Sequence, residues 1–148
     1  MDGMIIALGW VGIFAPMALG AIGSITGCAL AGQAAIGAML ETDGGYGRFV
    51  GISAMPSSQV IYGIVIMFSL NQEVTGTNGG ALFGIGLLAG LALMLSGQWQ
   101  GRTCASAIAA AKDKPEIFGL SLAPAAIVEG FAVFAFVFAL VLAASIPS

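Results

Sequence analysis

Charged side chains are scarce in this sequence: Asp, Glu, Lys and Arg make up only 7% of its 148 residues. A typical soluble domain carries roughly 25%, so the composition excludes an ordinary soluble domain. Histidine is absent, and the two cysteines, Cys28 and Cys104, lie in separate apolar segments without metal-ligand spacing. We interpret them as buried thiols rather than as a disulfide or a metal site. The net charge of −3 is spread over short loops and indicates no nucleic-acid partner.

Hydrophobic residues, by contrast, make up 59% of the chain. They form four long runs, Met4–Leu40, Phe49–Leu70, Ala81–Ala111 and Ile117–Ile146. Each run reaches the ~20 residues that a helix needs to cross ~30 Å of hydrocarbon. The sequence therefore predicts an all-α membrane protein with four transmembrane helices in a single membrane domain over residues 1–148. The short connections leave no room for a soluble domain, so any bond-breaking catalysis must belong to partners.

The few basic residues indicate the orientation of the chain. They lie in or near the first and third loops or at the adjoining helix ends: Arg48, Arg102, Lys112 and Lys114. By the positive-inside rule, we expect loops 41–48 and 112–116 to be cytoplasmic and both termini to lie outside. The N-terminal stretch "MDGMIIALGW" lacks the basic region of a secretory signal, so we interpret the first run as a helix of the mature protein.

The two halves of the chain resemble each other. Sliding the sequence by 70 residues places Gly20 on Gly90 and Gly27 on Gly97. These and similar matches predict a duplicated helical hairpin, with hairpin one over residues 1–72 and hairpin two over residues 73–148. The same shift places Gln59 on Glu129, so one copy carries a carboxylate where the other carries its uncharged amide analogue.

Glycine recurs at helical spacing in the first and third runs. The residues concerned are Gly12, Gly20, Gly23 and Gly27 in the first, and Gly86, Gly90, Gly97 and Gly101 in the third. Small residues let transmembrane helices approach closely. Any single glycine could serve pairing within a hairpin. For the combination, we expect an inner surface formed between several copies, with the first and third helices facing inward in a closed homo-oligomeric ring.

Three polar side chains are predicted to share one depth in the membrane. Counting 1.5 Å per helical residue from the cytoplasmic loops places Glu129, Gln59 and Gln100 roughly 17 to 20 Å in. Ser58 is next to Gln59, and Tyr62 follows it at i+3 on nearly the same face. The second, third and fourth helices can therefore surround one point with oxygen atoms.

Pro56 and Glu129 indicate what this point does. Proline cannot donate to the carbonyl four residues earlier, so we expect a distorted turn with free backbone oxygens near Met55, which a bound cation could satisfy. Glu129 in hydrocarbon costs about 2.5–3.5 kcal/mol on insertion scales. We therefore expect a carboxylate that alternates between a loaded, neutral state and an empty, charged one, rather than one that only holds helices together.

The motifs "PSSQVIY", "GQWQGR" and "AAIVEGFAVF" resemble those of the duplicated, four-helix proteolipid, the c or K subunit, of V-type and archaeal-type rotary ATPases. The resemblance covers essentially the whole chain. It implies a rotor ring whose fourth-helix glutamate carries the transported ion. It also implies a peripheral ATP-hydrolysing sector reached through a central-stalk subunit on the cytoplasmic side, and a stator membrane subunit that supplies a cation. The chain itself would then be a non-catalytic, ion-translocating subunit in lipid, without an ATP-hydrolysing site.

The chain resembles the sodium-translocating bacterial members residue by residue, which implies a bacterial cell membrane as its location. The implied Na⁺ ligands and lock are Glu129 as ion carboxylate, Gln100 and Gln59 as side-chain ligands, Ser58 as hydroxyl ligand, Met55 through its backbone oxygen, and Tyr62 as the hydrogen-bonding lock. Ser58 departs from the threonine of the compared sodium site, which keeps the hydroxyl but loses a methyl group. A hard cation needs several oxygen ligands, so we expect Na⁺, with H⁺ as the alternative.

A more distant alternative is a small four-helix multidrug transporter. Such transporters carry their membrane carboxylate in the first helix, whereas the membrane part of the first helix here has no acidic residue. Neither that alternative nor a purely structural subunit explains the polar groups at one depth. Arg102 lies about 200° around the helix from Gln100, so we expect it to snorkel toward the cytoplasmic interface rather than to join the site.

Overall fold

The computed structural model describes residues 2–147, and these form helices and short connections. The first and third spans are the continuous helices α1 (Asp2–Leu40) and α4 (Gly79–Asp113). The second span comprises α2 (Tyr46–Ser53), a 3₁₀ turn (Met55–Ser57) and α3 (Ser58–Leu70). The fourth comprises a 3₁₀ turn (Pro115–Ile117), α5 (Phe118–Ser121) and α6 (Ala123–Ala143). All four are long and apolar enough to cross a membrane, which confirms the predicted all-α membrane fold.

The interruption of the second span follows from Pro56. Its ring has no N–H to continue the helix, and the chain closes a 3₁₀ turn over Met55–Ser57 instead. The backbone N–H of Ser58 bonds to the carbonyl of Met55. The predicted distortion is therefore present, and the Met55 carbonyl oxygen accepts one hydrogen bond within it, which leaves its second lone pair available.

The glycines of α1 and α4 pack these two helices together within one chain. A Cβ atom on Gly86 would overlap the backbone of Gly12, and one on Gly97 would lie 2.6 Å from the carbonyl carbon of Gly23. The glycine-rich faces therefore meet across the two hairpins of a single chain. This corrects our expectation that these glycines line a surface between copies, since spacing alone indicates a close-packed face but not which helix covers it.

α3 packs closely against α1 as well. A Cβ atom on Gly20 would lie 2.8 Å from the carbonyl oxygen of Gln59, and one on Gly63 would overlap the carbonyl of Pro16. At one end of the bundle, Lys112 Nζ lies 2.7 Å from Glu41 Oε2. This ion pair joins the end of α4 to the residue after α1, so the first and third loops lie at the same end.

Two apolar clusters fill the interior. The first includes Ile13, Ile66, Leu70, Leu82, Leu93 and Ala132. The second includes Ala31, Phe49, Ile52, Cys104, Ile108 and Ala125. Along the second, third and fourth spans, Gln59, Gln100 and Glu129 each fall between members of the two clusters. The fold thus encloses one layer of polar side chains between two apolar layers.

Candidate functional site

Glu129 is the centre of this polar layer. It lies on α6, is half-buried, and accepts hydrogen bonds from two other helices. Tyr62 Oη of α3 donates to Oε1 over 3.2 Å, and Gln100 Nε2 of α4 donates to Oε2 over 3.1 Å. Both carboxylate oxygens are therefore held by donors, which accords with the predicted meeting of three spans at one point.

The two glutamines form a pair. Gln59 Nε2 donates to Gln100 Oε1 over 2.8 Å, and both residues are fully buried. Gln100 Nε2 also lies 3.4 Å from the carbonyl oxygen of Ala125. Gln59 thus reaches Glu129 through Gln100, in a chain of hydrogen bonds that runs from α3 to α4 to α6.

A row of oxygen atoms continues from Gln59 toward the 3₁₀ turn. Ser58 Oγ lies 3.3 Å from Gln59 Oε1 and 3.3 Å from the carbonyl oxygen of Met55. The structure thereby brings together all six residues singled out from the sequence. Carbonyl, hydroxyl and amide oxygens of this kind suit a hard cation, and Glu129 is the carboxylate in the network.

Two buried serines escaped the sequence interpretation. Ser96 Oγ accepts from Gln59 Nε2 over 3.3 Å and donates to the carbonyl oxygen of Val128 over 3.1 Å. Ser96 precedes Gln100 by one helical turn, and that spacing places it on the same face of α4 but does not give its partners. Ser24 Oγ accepts from the backbone N–H of Val60 over 3.1 Å, and no pattern in the sequence indicated this contact.

Tyr62 is held by a second residue that the sequence did not suggest. Its ring stacks on Phe136 with centroids 5.2 Å apart and an angle of 29° between the planes. Because Phe136 and Glu129 both belong to α6, the phenol of Tyr62 contacts that helix through its ring and through its hydroxyl. This pairing fixes the direction from which the hydroxyl approaches the carboxylate.

Neither Arg102 nor the cysteines join the network. Arg102 is exposed, and its guanidinium carbon lies 4.4 Å from the ring centroid of Trp99. Cys28 and Cys104 are free thiols, and Cys104 Sγ contacts Met55 Sδ at 3.9 Å. Within residues 2–147, no group of three or more His, Cys, Asp or Glu side chains is placed to hold a metal ion. A cation in this layer would depend on one carboxylate with neutral oxygen ligands.

Comparison with known proteins agrees with this architecture. The family model for the C subunit of ATP synthase matches residues 11–70 and, a second time, residues 83–142, which confirms the duplication. The A-type ATP synthase subunit K of Methanocaldococcus jannaschii is 35% identical over 137 residues, which cover 90% of this chain and 62% of that protein. The chain therefore spans less than two thirds of that relative's length.

A second relative is similar over much of its length. The V-type sodium ATPase subunit K of Enterococcus hirae is 29% identical over 125 residues, which cover 82% of this chain and 80% of that protein. The double family match excludes the small multidrug transporter, which would not carry it. The chain belongs to the family of ATP synthase C subunits, as a duplicated proteolipid of the c or K type found in V- and A-type ATPases.

Proposed function

We propose that this chain is a rotor-ring subunit that carries Na⁺ across the membrane on Glu129, coupled by rotation to ATP hydrolysis or synthesis in other subunits. The observation that supports this most is the hydrogen-bonded layer around Glu129. A carboxylate between two apolar clusters is costly in a membrane. Its bonds to Tyr62 and Gln100 offset part of that cost and hold the carboxylate at a fixed place.

The choice of Na⁺ over H⁺ rests on the number of oxygen atoms. A proton requires the carboxyl group and at most one acceptor, whereas a desolvated Na⁺ requires several oxygens. Three oxygen atoms lie in a row, with 3.3 Å between successive atoms: the Met55 carbonyl oxygen, Ser58 Oγ and Gln59 Oε1. Gln100 Oε1 and the carboxylate add more. One relative is named as a subunit of a sodium ATPase, which favours the same ion; H⁺ is the alternative.

The partners in this proposal follow from the alternation of Glu129 between an ion-loaded, neutral state and an empty, ionised state. An empty, ionised Glu129 facing lipid is too costly to rotate freely, so release requires a fixed cation on a stator membrane subunit. Copies of this chain form the closed ring, and a central-stalk subunit binds its cytoplasmic end. In a bacterial cell membrane, loops 41–48 and 112–116 face the cytoplasm and both termini face outward, as the basic residues indicate.

Carbodiimide labelling of the purified ring tests the ion. The reagent modifies a protonated carboxyl group, so it should label Glu129 at mildly acidic pH. Sodium should block the labelling, and the sodium concentration needed should rise as the pH falls, because coordination requires the deprotonated carboxylate. Potassium is the control: it is larger and should protect poorly. Labelling that is indifferent to sodium over a wide range of concentration and pH would identify a proton ring instead.

A further inference from the structure

Ser96 lies where three helices meet beside the proposed ion site. It belongs to α4, is only 8% exposed, and contacts a side chain of α3 and a backbone carbonyl of α6. Its Oγ lies 3.3 Å from Gln59 Nε2 and 3.1 Å from the carbonyl oxygen of Val128, the residue before Glu129. The ion-carrying cycle proposed above assigns no role to this hydroxyl.

The direction of these hydrogen bonds is fixed by the atoms involved. A serine hydroxyl has one proton, and Ser96 donates it to the carbonyl of Val128. Toward Gln59 it can therefore only accept, so Gln59 must present its nitrogen and not its oxygen. The second proton of Gln59 Nε2 goes to Gln100 Oε1. Both amide protons of Gln59 are thus directed at α4.

This constraint determines where the Gln59 oxygen points. With Nε2 held by Ser96 and Gln100, Oε1 lies on the opposite side of the amide, 3.3 Å from Ser58 Oγ. The Ser58 hydroxyl also lies 3.3 Å from the Met55 carbonyl oxygen. Were the amide reversed, Oε1 would face Gln100 Oε1, and two acceptors would meet without a proton between them.

We infer that Ser96 is a positioning residue for the ion site, holding the Gln59 amide so that its oxygen faces the oxygens of Ser58 and Met55 before the ion arrives. The inference rests on the proposed function, since it assigns these oxygens to a cation. A ligand oriented in advance binds its ion more tightly, because no ordering cost remains at the moment of binding.

Ser24 provides a matched control for a purely structural role. It is 6% exposed, similar to Ser96, and also links two helices through one hydroxyl, which accepts from the backbone N–H of Val60. Its hydroxyl forms no hydrogen bond with the proposed ligand side chains. Ser24→Ala therefore removes a buried helix-to-helix hydrogen bond without freeing the Gln59 amide.

The experiment compares purified rings of the wild-type, S96A, S24A and S96T proteins at one fixed pH. Two quantities are measured: the rate of carbodiimide labelling of Glu129 without sodium, and the sodium concentration that halves this rate. S96A should raise the half-protecting concentration about five- to tenfold, the effect of about one hydrogen bond. The rate without sodium should stay unchanged. S24A should leave the half-protecting concentration unchanged.

S96T tests whether the hydroxyl itself is responsible. Ser96 lines an open groove of about 300 Å³ between α4 and α6, which leaves room for the added methyl group, so protection should return to near the wild-type concentration. Should S96A fail to assemble, Ser96→Cys replaces it, because a thiol is a weak acceptor and should shift protection in the same direction.

The outcomes separate this inference from the function on which it rests. Equal half-protecting concentrations in the wild-type and S96A rings, or equal shifts in S96A and S24A, would overturn the positioning role while leaving Na⁺ transport intact. A wild-type ring that sodium does not protect would refute the proposed ion and the positioning role together.

Discussion

The hydroxyl of Tyr62 lies 3.2 Å from Oε1 of Glu129 and joins α3 of the first hairpin to α6 of the second. The ring of the same tyrosine stacks on Phe136 of α6. The tyrosine therefore keeps its position against α6 even if the hydroxyl bond breaks. The side chain of Tyr62 therefore has two roles. Its aromatic ring packs α3 against α6, and its hydroxyl donates a hydrogen bond to the Glu129 carboxylate.

Tyr62→Phe should separate these roles. The aromatic ring stacked on Phe136 remains, so we expect the subunits to assemble normally. The Glu129 carboxylate loses the hydrogen bond from the Tyr62 hydroxyl. A hydrogen bond to a charged group contributes about 1.5–3 kcal/mol, so the half-protecting sodium concentration in carbodiimide labelling should rise at least tenfold. Tyr46→Phe is the control, because its hydroxyl bonds to the Thr42 carbonyl, far along the chain from the site. Unchanged sodium protection in Tyr62→Phe would remove the tyrosine from its role as a lock.

The helices and the depth of the site were predictable because they depend only on the length of each apolar run and on the rise per helical residue. An apolar run of about 20 residues or more must cross the membrane as a helix, and a constant rise per residue places Gln59, Gln100 and Glu129 at one level. The structure joins these three in one hydrogen-bonded chain. Counting along single helices was enough, because the three residues lie on the faces that meet.

The features that escaped prediction depend on how the helices pack. The contribution of Ser96 requires the carbonyl of Val128 on one side and Gln59 on the other, and neither neighbour can be inferred from α4 alone. The form of the distortion at Pro56 was also not predictable, because the chain closes a 3₁₀ turn there with a bond from the Ser58 N–H to the Met55 carbonyl. A proline predicts that one hydrogen bond is lost, but not which local bond replaces it.

Gly97→Ala should destabilise the chain through its packing of α4 against α1. The new Cβ atom would lie 2.6 Å from the backbone of Gly23, and backbone cannot move aside as a flexible side chain can. Overpacking of this kind costs about 1–3 kcal/mol, and thermal unfolding of the ring in detergent would measure it. Gly32→Ala is the matched control, since nothing lies within 4 Å of a Cβ atom there. Similar losses in both variants would contradict the close α1–α4 contact.

Ser58 should influence the affinity for the ion through its hydroxyl. Ser58→Ala removes the oxygen that lies between Met55 and Gln59, so we expect binding of radioactive sodium to purified rings to weaken about tenfold. Ser58→Thr retains the oxygen and adds a methyl group, so its affinity should equal or exceed that of the wild type. If alanine and threonine gave the same affinity, the hydroxyl would not be a ligand.

Glu129→Gln should abolish ion transport without preventing assembly. Glutamine has nearly the same size, and its oxygen can still accept from Gln100, while the hydroxyl of Tyr62 can turn to accept from the new amide. The variant cannot alternate between charged and neutral states. Native mass spectrometry should therefore show an intact ring, and the reconstituted ATPase should transport no ion into vesicles. Sustained transport by this variant would mean that another group carries the ion.

Replacing Gln100 tests whether the site binds a cation or a proton, because its side chain contacts both the Glu129 carboxylate and the Gln59 amide. Gln100→Leu removes the donor to Glu129 and the acceptor for Gln59, and also one oxygen ligand for a cation. The carboxyl group itself remains, so carbodiimide labelling should persist at mildly acidic pH. Sodium should protect Glu129 only at concentrations more than tenfold higher than for the wild type.

Gln98→Leu supplies the control for this change on the same helix, since Gln98 lies outside the network and lines a cavity with Thr26, Leu30 and Arg102. Its sodium protection should match the wild type. The comparison is informative because both variants replace an amide by an apolar side chain on α4, and they differ in whether that amide faces Glu129. Wild-type sodium protection in Gln100→Leu would show that the Gln100 amide is not a ligand of the ion.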